Sequence, residues 1–165
     1  MQIRNERSGD EDAIAAVTQA AFAASSHRDH GEAAIIAALR AAGALSLSLV
    51  ADDGGVIVGH IAFSPVQIDG IDGSWIGIGP VSVVPAHQRR GIGSLLIREG
   101  LRRIAEQGCE LCVLLGDPAY YDRFGFAHDP ALTYEDYATT AFQRLVLSGD
   151  PPVGRVTYHP AFAAR

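Results

Sequence analysis

Apolar residues recur along the chain at two spacings, and each change of spacing predicts a new element. Residues 2–6 alternate as a first strand. Ser8-Gly9-Asp10-Glu11 has the hydroxyl-then-carboxylate pattern of a capping box, with Ser8 as the cap. The helix it opens carries Ile14, Val17, Ala21 and Phe22 on one face. A polar stretch, residues 25–31, precedes a second helix bearing Ile35, Ile36 and Leu39, ended by Gly43. Leu45, Leu47 and Leu49 alternate as a strand, and Asp52-Asp53-Gly54-Gly55 supplies a hairpin turn. The return strand covers residues 56–64, where Pro65 is expected to close it.

A turn-rich segment, residues 69–74, leads to a strand over residues 75–83. Gly77, Gly79 and Pro80 interrupt that strand, since proline lacks the ladder donor and glycine marks a bulge. A strand broken in this way is expected to bind something. Residues 92–107 form a helix burying Leu95, Leu96 and Ile104, with Arg98, Glu99, Arg102 and Arg103 toward solvent and Gly108 as its stop. Residues 109–115 read as a buried strand and residues 117–123 as a short turn or helix before Phe124-Gly125-Phe126. Two more strands are expected near residues 142–147 and 155–158. The series predicts an α/β (α+β) fold, a mixed sheet with helices on both faces, in a single domain over residues 1–165.

Composition narrows the class. The chain of 165 residues is 48% hydrophobic and 19% charged, which suits one core. No apolar run approaches the roughly 20 residues that span a bilayer, and Met1 to Arg7 alternate in charge rather than forming a signal peptide. The expectation is a cytoplasmic protein with no membrane partner. A net charge of -6 argues against a nucleic-acid partner and suits a cationic substrate such as an amine. Cys109 and Cys112 are spaced as Cys-x-x-Cys. On a continuous strand, positions three apart point to opposite faces, so the pair is expected to share neither a metal nor a disulfide.

Gln88-Arg89-Arg90-Gly91-Ile92-Gly93-Ser94 stands between a strand and a helix. Glycines there let backbone approach a ligand, and the first helical turn offers unpaired N–H groups and the positive dipole end. Arg89 and Arg90 add positive charge, so the expected guest is a phosphate or pyrophosphate. A dinucleotide fingerprint would need a third glycine where Leu96 stands, and a Walker A loop would need a Gly-Lys-Ser/Thr run that is lacking.

The loop resembles the Gln/Arg-x-x-Gly-x-Gly/Ala motif of the GNAT N-acetyltransferase superfamily. Downstream, Tyr120-Tyr121-Asp122-Arg123-Phe124-Gly125-Phe126 resembles that family's Tyr-x-x-x-Gly-Phe segment, and the order of elements matches to about Phe126. The Gly116-Asp117-Pro118-Ala119-Tyr120-Tyr121 spelling is similar to a largely uncharacterised bacterial branch. The resemblance implies a mostly antiparallel sheet with a splayed central pair of strands and acetyl-CoA as cosubstrate, with no metal. By it, Val81, Ser82 and Val83 would pair with the pantetheine arm through their backbone, as a strand adds to a sheet edge. N–H groups from Arg89 to Ser94 would hold the pyrophosphate, and a backbone N–H near Val83 would polarise the thioester carbonyl. Tyr121 matches the general acid that protonates the departing thiolate, while Tyr120 is expected only to pack.

An alkylamine is mostly protonated at neutral pH, so the reaction needs a proton acceptor. The central strands hold no acid at residues 75–83, and the next strand has only Glu110 at the wrong end. His60, Asp29 and Glu32 remain as candidates, acting directly or through water. His27-Arg28-Asp29-His30-Gly31-Glu32 has zinc-like spacing but reads as a solvated loop near the acceptor cleft. His128 has no assigned role, and Tyr158-His159-Pro160 is placed at the border of the site. The acceptor would be a small-molecule or peptide amine, and exposed C-terminal strands leave a homodimer open. A non-catalytic acyl-CoA sensor and a nucleotide-binding module are the alternatives.

Overall fold

A computed structural model describes residues 1–24, 31–135 and 139–164. Eight strands form one sheet: β1 (Gln2–Asn5), β2 (Leu47–Asp53), β3 (Val56–Ile68), β4 (Ile71–Val83), β5 (Leu111–Leu115), β6 (Leu132–Tyr134), β7 (Phe142–Val146) and β8 (Gly154–Tyr158). The main path runs β1-β2-β3-β4-β5-β7, and β8 joins both β3 and β6. All pairings are antiparallel except β4 with β5 and β6 with β8. The helices are α1 (Glu11–Ala23), α2 (Glu32–Ala41), α3 (Ile92–Glu106) and the single turn α4 (Pro118–Tyr121). The mixed sheet is as expected.

Strand alternation sends side chains to two faces, and each face has its own helices. Ile14 of α1 and Ile36 of α2 pack on Val50 and Ala62. Ile92, Leu96 and Ile97 of α3 pack on the opposite face with Leu49, Ile61 and Phe63. Gly100 lets α3 approach closely, because the Phe63 ring occupies the space its Cβ would take.

Several local expectations are corrected. Ser8 does not cap α1: the N-cap is Asp10, whose carboxylate is drawn to Arg4 at 2.8 Å and to the Arg7 N–H, while Glu11 accepts from the Gly9 N–H. Pro65 does not close β3. It falls between the last β2 pair, Leu47 with Phe63, and the first β8 pair, Val66 with Tyr158, where a missing donor is tolerated. The turn after β3 is only Asp69-Gly70, both at positive φ as a tight hairpin requires, so β4 starts earlier than residue 75. Leu95 is 50% exposed; Leu96, Ile97 and Ile104 form the buried stripe of α3. Cys109 precedes β5 instead of lying on it, which frees it from strand alternation. Its Sγ lies 3.9 Å from Cys112 Sγ, both thiols buried and free, so the opposite-face argument fails here. Among the described residues, no helix is long and apolar enough to cross a membrane.

Candidate active site

Strand β4 carries the site because it parts from β5. The two pair only at Trp75, Ile76 and Gly77, opposite Leu111, Cys112 and Val113. Beyond Gly77, β5 remains paired with β7 through Leu115, while β4 remains paired with β3 as far as Val83. From Ile78 to Val83 the β5-facing edge of β4 therefore meets no strand among the described residues. A bulge accompanies the parting: Phe63 pairs with Ile78 and Ile61 with Val81, three steps on β4 against two on β3. Gly79 sits at φ +133, a value that favours glycine, and its peptide with Pro80 is cis.

The chain leaves Val83 through a short 3₁₀ turn, Pro85–His87, into the glycine loop. Gln88 ties the loop back to the strand, its Nε2 donating to the Val83 carbonyl at 2.9 Å. Arg89 at φ +65 and Gly91 at φ +81 turn the backbone sharply into α3. The first helical N–H groups of α3, which have no intrahelical acceptor, open at this point. A cavity of about 400 Å³ lies there, walled by Gln88, Arg89, Gly91, Ile92, Gly93 and Ser94 with Val83, His87, Tyr120 and Arg123. Arg90 is exposed beside it, and Val81 and Ser82 do not form its wall.

Three wall residues were not foreseen. Tyr120, expected only to pack, has its hydroxyl 3.2 Å from Ser94 Oγ. Arg123 stacks on the Tyr120 ring at 4.4 Å and donates to the Tyr120 carbonyl. His87 faces Asp53 at 3.7 Å. The one signal available was that Tyr120 and Arg123 lie three apart on a helical turn, which places them on one face.

Tyr121 lies on the other side of this turn. Its ring fills the space beside Gly116, just past β5, and packs on Tyr120, Phe124 and Phe126. Burial, helped by Tyr120, pushes its phenol up to about 12, so it stays protonated at neutral pH.

Of the proton-acceptor candidates, Asp29 lies outside the described residues, as do His27 and His30 of the zinc-like stretch. Glu32 opens α2. His60 is fully buried on β3. The longer β4 contains Asp72, but at the hairpin end, hydrogen-bonded to Gln67. Glu110 pairs through its N–H with Ser74, away from the open edge. Among the described residues, no group of His, Cys, Asp and Glu is arranged to hold a metal.

Near the C-terminus the Tyr158 ring lies against Gly77, the last β4 residue paired with β5. It stacks with Tyr134 and Phe162 beside a second cavity of about 450 Å³. His128 is further off, its Nδ1 3.2 Å from the Phe142 carbonyl.

A splayed sheet whose open strand runs into a glycine loop at a helix N-terminus defines an acyltransferase class. The acetyltransferase (GNAT) domain family matches residues 2–128, and the chain belongs to that family. It is 39% identical over 144 residues to the uncharacterised N-acetyltransferase YhbS of Escherichia coli K12, covering 83% of this chain and 86% of that one. The crystal structure of E. coli YhbS in complex with CoA superposes with a TM-score of 0.90 at 36% identity, covering 98% of this chain and 91% of that one. A GNAT family acetyltransferase from Brucella melitensis, solved in complex with acetyl-CoA, gives a TM-score of 0.87 at 49% identity, covering 98% and 97%.

Proposed function

We propose that the protein is an acetyl-CoA-dependent N-acetyltransferase that moves an acetyl group to the primary amine of a small molecule or peptide by direct attack. The observation that carries this reading is the open edge of β4 between Ile78 and Val83, leading straight into the cavity at the start of α3. The residues suit the cosubstrate. Backbone groups of Val81, Ser82 and Val83 offer an added strand to the pantetheine arm. N–H groups from Arg89 to Ser94 face the pyrophosphate, with Gln88 and Gly91 fixing the loop and Arg90 adding charge. The relatives solved with CoA and acetyl-CoA support the same assignment.

In this reading the Val83 N–H polarises the thioester carbonyl and the amine attacks its carbon. Tyr121 gives its phenolic proton to the departing sulfur. The test is thiol release from acetyl-CoA against a panel of primary amines, paired with a titration of acetyl-CoA binding. Release that depends on an amine supports the reading. Tight binding without release from any amine would leave a sensor, and competition by ATP but not CoA would leave a nucleotide-binding module.

A further inference from the structure

Beside its apolar core, the face of the sheet beneath α1 and α2 carries a row of polar groups. At its outer end, Glu6 receives two hydrogen bonds from Arg40, at 2.7 and 3.0 Å. Ser48 Oγ lies 2.7 Å from Glu6 Oε1 and 2.8 Å from His60 Nε2. Burial pushes the Glu6 carboxyl up, but the bonds from Arg40 and Ser48 outweigh it and hold Glu6 below its ordinary range. Glu6 is therefore a carboxylate and can only accept. The Ser48 hydroxyl must donate to it, which leaves Ser48 to accept from His60. That fixes the proton on Nε2 and a lone pair on Nδ1.

That lone pair has no partner among the described residues, and the same is true of the hydroxyls of Ser82 and Ser64. His60 and Ser64 are 0% exposed and Ser82 is 2% exposed. Register places His60 and Ser82 together and Ser64 four residues further along β3. Ser82 stands directly opposite His60, and Ser64 opposite Gly77. Directly opposed side chains share a face with Cβ atoms about 5 Å apart, a gap that one hydroxyl rotation or one ordered water spans. Two orphaned polar atoms on directly opposed positions, His60 Nδ1 and Ser82 Oγ, are costly unless something uses them.

The row has a direction. Its inner end, Ser82, sits on the stretch of β4 that parts from β5. Its outer end, Glu6, Arg40 and Ser48, lines a surface cavity of about 440 Å³. Glu6 and Arg40 are the charged groups acting on His60, and the buried residues of α1 are Ile14, Val17, Thr18 and Ala21.

We infer that His60 Nδ1 takes the proton from the attacking amine nitrogen, through the Ser82 hydroxyl or one water, and that Ser48 and Glu6 are positioning residues holding the ring in its Nε2–H form. This rests on the acetyl-transfer reading. As the C–N bond forms and the C–S bond breaks, one N–H proton passes to His60 and the Tyr121 proton passes to sulfur. His60 then loses its proton to water through Nδ1 when the amide leaves, and Tyr121 regains one from water. The imidazolium formed in between is offset by the Glu6 carboxylate through Ser48. The arrangement follows the logic of a base oriented by a third group, with His60 drawn from the sequence candidates and Ser48, Ser82 and Glu6 added by the fold.

The experiment compares wild type, His60→Gln and Ser48→Ala with an amine that the wild type acetylates. It reads kcat/KM for the amine, the acetyl-CoA dissociation constant, and the tautomer of His60 by ¹⁵N NMR. Support is an Nε2–H tautomer in the wild type and a fall in kcat/KM of about 100-fold in His60→Gln, with acetyl-CoA affinity within about twofold. Ser48→Ala is expected to fall less and to show mixed tautomers; it also carries the test if His60→Gln does not fold. An Nδ1–H tautomer in the wild type overturns the inference. So do unchanged kcat/KM in the variants, or a matching loss of acetyl-CoA affinity, which would make the row structural. A wild type that binds acetyl-CoA but acetylates no amine overturns the acetyl-transfer reading itself.

Discussion

The hydroxyls of Tyr120 and Ser94, 3.2 Å apart, join the turn after β5 to the first turn of α3 across one wall of the loop cavity. The neighbouring tyrosine points elsewhere, so the two make different predictions. Tyr120→Phe removes a hydrogen bond beside the cofactor loop and should raise the acetyl-CoA dissociation constant by roughly two- to tenfold, measured by calorimetric titration. Turnover at saturation should change little.

Tyr121→Phe should do the reverse. Its loss should lower kcat by about 100-fold or more and leave acetyl-CoA affinity nearly intact. A variant with unchanged kcat would remove Tyr121 from the mechanism.

Gly91 begins α3 at φ +81 with nothing within 4 Å of where a Cβ would stand, so a side chain there costs backbone strain and not space. Gly91→Ala should destabilise by about 1–2 kcal/mol. The melting temperature should drop by roughly 2–8 °C, and acetyl-CoA should restore only part of it.

Gly100 makes the opposite case within the same helix. Alanine is the better helix former by about 1 kcal/mol, yet its Cβ would collide with the Phe63 ring. Gly100→Ala should be net destabilising by about 1–3 kcal/mol in denaturant melts, and a smaller residue at Phe63 in the same background should recover part of the loss.

Stability should also depend on His60. Burial holds it neutral in the fold, its pKa lowered from 6.5 to about 4. Between those values the unfolded chain binds the extra proton, so stability is full above about pH 6.5 and declines as pH falls toward 4, by about 3 kcal/mol in total. Denaturant melts across this window should show the slope in the wild type and a shallower one in His60→Gln. Asp10 and Asp52, held low by Arg4, act below their ordinary value of 3.8 and so outside most of this window.

Much of this was legible in the chain. Helical spacing found the buried stripe of α2, most of that of α1, and Leu96 and Ile104 of α3, and Gly54 and Gly55 marked the hairpin they form. The glycine loop was visible because its residues are consecutive. What stayed hidden depends on pairing register. Glu6, Ser48, His60 and Ser82 are scattered over β2, β3, β4 and the segment after β1, and only the ladders bring them into one row. β6 is too short for any period to show. Pro65 misled because a proline at a change of strand partner looks, in sequence, like one at a strand end. The cysteine pair misled because the start of β5 decides whether alternation applies to Cys109.

The bulge at Gly79-Pro80 is in effect a change of parity. Ile76 and Ile78 pack with the α3 core before it, and Val81 and Val83 pack with the same core after it. Even positions face α3 on one side of the bulge and odd positions on the other. Gly77 and Ser82, five residues apart, thereby come to share the face beneath α1, which an unbroken strand would forbid. The same residues run through β4 without the bulge would leave its composition unchanged. They would nevertheless reverse which backbone groups of residues 81–83 meet the open edge, and turn Ser82 away from His60.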